Sequence, residues 1–115
     1  MRSEFGWVEI RGTRYEHDIV IHTDGSVSKR KKRLSKPWAS EFGHTPLSAE
    51  ELAFLGDERP EVVYIGTGQY GDLPVTPDAA ALLAQYIHVV RPVPDIIPLL
   101  EKEQRKFAAV LHVTC

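Results

Sequence analysis

Gly66, Thr67, Gly68, Gln69, Tyr70 and Gly71 complete the dinucleotide-binding pattern G-x-G-x-x-G, directly after the strand-like run Glu61-Val62-Val63-Tyr64-Ile65. Such a pattern holds a pyrophosphate where the turn opens a helix whose free N–H groups face the phosphates. Here Asp72-Leu73-Pro74-Val75-Thr76 intervenes, and the earliest helix start is Pro77. The acidic residue expected about 20 positions on, to hold a ribose, is also missing. Arg91 stands near that place and would suit only a 2′-phosphate. The pattern therefore predicts neither an NAD-dependent dehydrogenase nor any other cofactor. What remains is a glycine turn at the carboxyl end of a buried strand, where open α/β sheets bind ligands. Gly66, Thr67, Gly68, Gln69 and Tyr70 are thus candidate ligand-binding residues for a small anion, through backbone N–H groups and the three polar side chains. The competing reading is a turn whose polar groups satisfy its own backbone.

The second chemical feature is the cationic run Lys29, Arg30, Lys31, Lys32 and Arg33, with Trp38 close behind. Such a run can contact phosphates or an anionic partner, and Trp38 can stack on a base. A solvated hairpin end has the same composition, and a net charge of −2 gives nucleic acid little to attract it. His112 and Cys115 lie close together in the chain. If the last strand alternates through both, they point to opposite faces, which argues against a Cys–His catalytic pair. His17, His22, His44, His88 and His112 show no metal-ligand spacing, so no metal is predicted. No catalytic residue is singled out, and the balance leans away from an enzyme.

Positioning these residues requires a mixed set of elements. Trp7, Glu9 and Arg11 alternate with Val8 and Ile10 as in a strand, followed by a turn at Gly12-Thr13. Residues 15–21 read as a second strand, Asp24-Gly25 as a tight hairpin, and Val27 as the start of a third strand. Residues 36–46 read as a long irregular loop, packed through Trp38 and Phe42. Ser48-Ala49-Glu50-Glu51 matches a capping box that starts a short helix through Leu55, ended by Gly56. Thr76-Pro77 opens the next helix. Residues 62–65 read as a strand buried on both faces, residues 87–90 as the next strand, residues 107–113 as a last apolar strand, and residues 95–106 as a helix with Pro98 near its first turn. The pattern predicts an α/β fold: one three-layer domain over residues 1–115, with a mixed central sheet, helices on both faces and an N-terminal antiparallel β-hairpin region.

Composition agrees with a folded domain of this size, at 115 residues, 43% hydrophobic and 26% charged. Residues 1–46 carry nine Lys/Arg against six Asp/Glu, and residues 47–115 carry five against ten. That asymmetry can steer a partner or pair two copies as a homodimer. A single cysteine excludes an intrachain disulfide and suits a reducing compartment. No apolar run reaches the length of a membrane span, and the first residues lack the apolar core of a signal peptide. A cytoplasmic protein with no membrane partner is the expectation.

The stretch Ile65-Gly66-Thr67-Gly68-Gln69-Tyr70-Gly71 resembles a family of small α/β domains of unknown function. That family includes the adipogenesis-associated protein and a mitochondrial complex I assembly factor. Tyr15-Glu16-His17-Asp18-Ile19-Val20-Ile21 resembles its second strand. Gly43-His44, followed by Leu47-Ser48-Ala49-Glu50-Glu51-Leu52, resembles the start of its first helix. Ala108-Ala109-Val110-Leu111-His112-Val113-Thr114-Cys115 resembles its last strand. The resemblance implies a mixed sheet with flanking helices and no established catalytic activity. In the eukaryotic relatives it implies assembly or regulatory roles through protein contacts. The chain departs from the pattern between residues 29 and 42, where it is long and basic, and in the shortness of the helix over residues 48–55. A protein-interaction module is the leading functional expectation. An anion-binding enzyme or sensor at residues 66–71 and a phosphate or nucleic-acid contact at residues 29–33 are the alternatives.

Overall fold

The computed structural model describes residues 1–42 and 45–115, apart from the side chains of Glu41 and Phe42. Strands β1 (Arg2–Glu4), β2 (Trp7–Ile10) and β3 (Thr13–Tyr15) form a small antiparallel sheet. Arg11 and Gly12, both at positive φ, make the two-residue link between β2 and β3. Positive φ at both positions matches the right-handed twist of a hairpin. The turn thus lies one residue earlier than Gly12-Thr13. The strand expected over residues 15–21 is two strands, because the chain leaves the small sheet after Tyr15 and enters the large one at Ile19.

The large sheet holds β4 (Ile19–Ile21), β5 (Val27–Lys29), β6 (Val62–Gly66), β7 (Ile87–Arg91) and β8 (Phe107–Leu111), in the order β5-β4-β8-β6-β7. β6 pairs in parallel with both β7 and β8, while β4 runs antiparallel to β5 and β8. All five residues of β6 are buried, as its unbroken apolar run requires of a strand covered on both faces.

Four α-helical segments flank the strands: α1 (Ala39–Phe42), α2 (Leu55–Glu58), α3 (Pro77–Leu83) and α4 (Val93–Lys102). The sheet splits the core in two. Ile19, Ile21, Tyr64 and Leu111 face α4, through Ile96, Ile97 and Leu100, and the small sheet, through Val8 and Ile10. Val20, Val63, Ile65 and Val110 face α3, through Ala79 and Leu83, and the segment carrying Leu47, Leu52 and Leu55. The result is the expected three-layer α/β domain with a mixed central sheet, helices on both faces and an antiparallel N-terminal region.

Several boundaries move for local reasons. Residues 36–46 are not wholly irregular, since a 3-10 turn at Lys36–Trp38 leads into α1. The helix over residues 48–55 is a 3-10 turn, Ala49–Leu52, followed by α2. Gly56 lies inside α2, and the left-handed residue that ends it is Arg59. Thr76 does cap α3, its hydroxyl accepting from the Ala79 N–H at 3.2 Å. α4 starts two residues before the predicted residue 95, so Pro98 sits in its second turn and removes an internal bond. β8 ends at Leu111 rather than Val113.

The glycine turn after β6 is fixed by close packing. A Cβ on Gly66 would lie 2.7 Å from Val93 Cγ2 and 2.8 Å from Leu111 Cδ2. Gly68 has φ +102, and a Cβ there would run into the Thr114 carbonyl oxygen. Gly56 has open space around it. Gly68→Ala is expected to cost about 1–3 kcal/mol from backbone strain alone. Gly56→Ala should be neutral or stabilise by up to about 1 kcal/mol. Urea-denaturation midpoints of the two variants check the contrast, and equal midpoints would refute it.

Candidate functional site

The site grows from the break between β3 and β4. Asp18, just before β4, is buried and anchors four groups. Its carbonyl accepts the Arg30 N–H at 3.0 Å, which closes the β4–β5 hairpin. Oδ1 accepts from the Val113 N–H at 2.9 Å. Oδ2 accepts from Arg30 Nη1 at 2.9 Å and His112 Nδ1 at 2.7 Å. The exposed Lys32 ammonium lies 3.6 Å from the same oxygen.

The Arg30 guanidinium is only 1% exposed. Its Nε and Nη2 grip both oxygens of Glu51, at 2.7 and 2.8 Å, and Nη2 also donates to the Pro46 carbonyl at 2.9 Å. Planar bidentate pairing of this kind is what an arginine offers and a lysine does not. Ser35 Oγ bonds the remaining Glu51 lone pair and lies 2.6 Å from Ser48 Oγ. The capping-box residues Ser48 and Glu51 therefore do not cap their own 3-10 turn. Ser48 makes no side-chain capping bond, and both side chains belong to the Arg30 network. Among the described residues no buried side-chain nitrogen or oxygen lacks a hydrogen-bond partner.

Burial by itself would push the Asp18 carboxyl up. The His112 hydrogen bond and charge, the Val113 N–H and Arg30 outweigh it and hold the group well below the usual carboxylate range. For Arg30, burial favours the neutral form, and the Glu51 and Asp18 bonds reverse this and raise it. With the His112 tautomer assigned from its hydrogen bonds, Nδ1–H points at Asp18. Nε2 then faces Thr114 Oγ1 at 3.2 Å and can accept the hydroxyl proton.

This network forms the wall of a cavity of about 720 Å³ at the carboxyl end of β8. Lys29, Lys31, Lys32, Arg33 and Lys36 border it, opposed by Glu16 and the buried Asp18. On the other side of Thr114 is a smaller cavity of about 190 Å³, bordered by Asp72, His112 and Cys115.

Of the cationic run, four residues are exposed and one is not. Arg30 was expected as a surface contact and is instead a buried structural cation, because antiparallel pairing with Asp18 turns its side chain inward. Trp38 is half-buried and is not among the described residues that border the larger cavity. The expected separation of His112 and Cys115 onto opposite faces does not apply, since the strand has ended before them and both border the smaller cavity. His44, with Gly43, lies outside the described residues. Among the described residues no group of three or more His, Cys, Asp or Glu could hold a metal ion.

The glycine turn is held by the protein's own backbone. Thr67 N–H bonds the Arg91 carbonyl, Gln69 N–H that of Thr114, Asp72 N–H that of Cys115 and Leu73 N–H that of Thr67, all at 2.9–3.0 Å. Within residues 66–70, the Thr67 and Gln69 N–H groups are thus already bonded to the protein itself. Tyr70 is 70% exposed and stacks on Phe5, with ring centroids 5.9 Å apart. Sequence reasoning missed Asp18, Ser35, Glu51 and the part played by His112. The available signals were the S-x-x-E match and a lone Asp before the run Ile19-Val20-Ile21.

With the geometry in place, the chain can be compared with solved structures. It is similar to a conserved hypothetical protein from Pyrococcus horikoshii, at 32% identity over 100% of this chain and 98% of that one, with a TM-score of 0.87. It is similar to MT938 at 34% identity, over 100% and 96%, with a TM-score of 0.81. The chain belongs to the family of these two proteins. A protein from Bordetella parapertussis, 19% identical over 98% of this chain and 92% of that one, has a TM-score of 0.67 and shares the fold. No protein-family model matches the chain, and no curated protein matches it significantly. The family is thus shown by full-length similarity to these two proteins. Among the described residues no helix is long and apolar enough to cross a membrane.

Two outcomes test the network. Arg30→Met should destabilise by about 3–5 kcal/mol, because it leaves two buried carboxylates uncompensated. Arg33→Met, at an exposed position, should stay within about 0.5 kcal/mol. Chemical denaturation of both separates a buried ion network from a surface charge run. The second outcome concerns acid. Asp18 is held below its unfolded value of about 3.9, so its contribution is complete above that pH and is lost as pH falls below it. The stability difference between wild type and Asp18→Asn should therefore shrink from pH 5 to pH 2. A difference that stayed constant across that range would contradict the assignment.

Proposed function

We propose that this domain is a binding module whose larger cavity receives an anionic segment of a protein partner. The observation that carries this reading is the charge of the cavity. Six cationic side chains border it against two carboxylates, in a chain whose net charge is −2. Arg30 and Asp18 are paired within the wall, so the accessible excess comes from Lys29, Lys31, Lys32, Arg33 and Lys36. Such a focused patch steers an acidic partner and raises its rate of encounter.

A protein rather than a free small anion is favoured by the Phe5–Tyr70 stack. These two exposed rings sit beside residues 113–114, through the Gly6 N–H bond to Val113 and the Gln69 N–H bond to Thr114. Exposed aromatics beside a charged pocket are the usual make-up of a protein contact. The resemblance to the family of the adipogenesis-associated protein and the complex I assembly factor supports an assembly or regulatory role. The single cysteine supports action in a reducing compartment such as the cytoplasm.

A peptide of mixed Asp and Glu, titrated into isotope-labelled protein at low salt, should shift the backbone resonances of Lys29, Lys31, Lys32, Arg33 and Lys36. The double variant Lys32→Glu/Lys36→Glu should weaken binding about tenfold or more. Raising the salt to 0.5 M should weaken it in the same direction, with the screening length falling to about 4 Å. Shifts that map elsewhere, or binding indifferent to salt, would defeat the proposal.

A further inference from the structure

At the opposite end of the β4–β5 hairpin from Asp18, a second set of polar side chains converges. His22 follows β4, Ser28 is the central residue of β5, and Glu58 is the last residue of α2. Glu58 Oε2 lies 2.6 Å from His22 Nδ1, and His22 Nε2 lies 2.7 Å from Ser28 Oγ. The other Glu58 oxygen is held by the Thr23 N–H at 2.8 Å and by its hydroxyl at 3.1 Å. Phe54 packs edge-on against the imidazole, with ring centroids 5.5 Å apart. The hairpin turn is closed without these side chains, by the His22 N–H bond to Ser26 and the Gly25 N–H bond to His22.

The chemistry of this arrangement follows from the proton positions. A carboxylate at Nδ1 fixes the proton there and leaves the Nε2 lone pair facing the serine hydroxyl. Burial pushes the Glu58 carboxyl up, but the Thr23 and His22 bonds overcome this and keep it low, so it is charged at neutral pH. Ser28 itself is exposed and open to attack a substrate.

A binding space adjoins it. His22 and Ser28 border a cavity of about 500 Å³ with an apolar floor of Val20, Phe54 and Val110 and a rim that includes Lys29 and Lys31. β5 is an edge strand. The N–H groups of Arg30 and His22 turn inward, to Asp18 and Ser26. Antiparallel alternation then turns Ser28 N–H inward too, and Lys29 N–H outward to the open edge. The Lys29 N–H, on the residue after the serine, is thereby left free to donate to a developing oxyanion.

We propose that Ser28, His22 and Glu58 form a nucleophilic centre that hydrolyses an acyl ester or thioester whose apolar acyl chain fills this cavity. Ser28 Oγ attacks the carbonyl carbon as its proton passes to His22 Nε2. The tetrahedral intermediate collapses, the bond to the alkoxide or thiolate breaks, and the leaving group takes that proton. Water then attacks the acyl-serine, again losing a proton to His22. Collapse releases the carboxylic acid and returns the proton to Ser28. Ser28 and His22 are the catalytic residues, and Glu58 is a positioning residue.

The test uses the intact protein, a fluorophosphonate probe and p-nitrophenyl esters of two to eight acyl carbons. The folded wild type should carry the probe on Ser28, located by peptide mass spectrometry. Ser28→Ala and His22→Gln should each lower ester hydrolysis by about 100-fold or more. Glu58→Gln should lower kcat with KM little changed. Ser28→Ala removes one exposed hydroxyl, so its melting temperature should match wild type and separate lost chemistry from lost folding. A probe adduct absent from Ser28, or hydrolysis by Ser28→Ala equal to wild type, would overturn the proposal. Neither result depends on the cationic cavity.

Discussion

The structure hangs on one guanidinium held between two carboxylates. Arg30 is buried at the end of the β4–β5 hairpin, with Asp18 on one side and Glu51 on the other. Taking three charges out of water is costly, and their attraction offsets the cost only when every remaining donor and acceptor is matched. That condition accounts for much that surrounds them. It gives the Pro46 carbonyl, Ser35 and Ser48 their partners, and it leaves Asp18 Oδ1 for the Val113 N–H. The cluster is therefore a joint between the hairpin, the segment before α2 and the end of β8. The cationic cavity lies directly on it, so the exposed lysines stand over a buried, hydrogen-bonded base.

The glycine-rich turn shows how one pattern can serve a different purpose. In a dinucleotide site, glycines let a phosphate approach the backbone. Here α3 and α4 lie on opposite faces of the sheet, which places the crevice for a ligand between the ends of β6 and β7. Bonds from Thr67 to Arg91 and from Val93 to Gly68 fill that crevice. Gly66 and Gly68 lack side chains because Val93, Leu111 and Thr114 occupy the space.

What could be read from the chain divides along the range of the interactions. Thr76-Pro77 and the run Val62-Val63-Tyr64-Ile65 carry their signal within a few residues, and both stand where expected. The layering followed as well, because each face of a buried strand needs an apolar cover. The ends of elements failed wherever a distant partner intervened. Residues 15–21 break where the chain passes from the small sheet to the large one, just before Asp18 meets Arg30. Ser48 and Glu51 look like a cap but serve Arg30, and residues 112–113 leave β8 to meet Asp18. The candidate site was legible only as a charge run, because its buried half is supplied by residues 12 to 94 positions apart. The S-x-x-E match and the lone Asp before β4 mark the partners without saying that they pair.

The bond from Val113 to Asp18 spans 95 residues. Closing so long a loop costs chain entropy, which must be met before the bond contributes anything. The bonds from Arg30 to Asp18 and to Glu51 span only 12 and 21 residues, so the cluster joins two short loops to one that runs almost the length of the chain. The cationic cavity is thus walled from both ends of the chain, by residues between Glu16 and Lys36 and by Val113 and Thr114, and its shape depends on their being brought together.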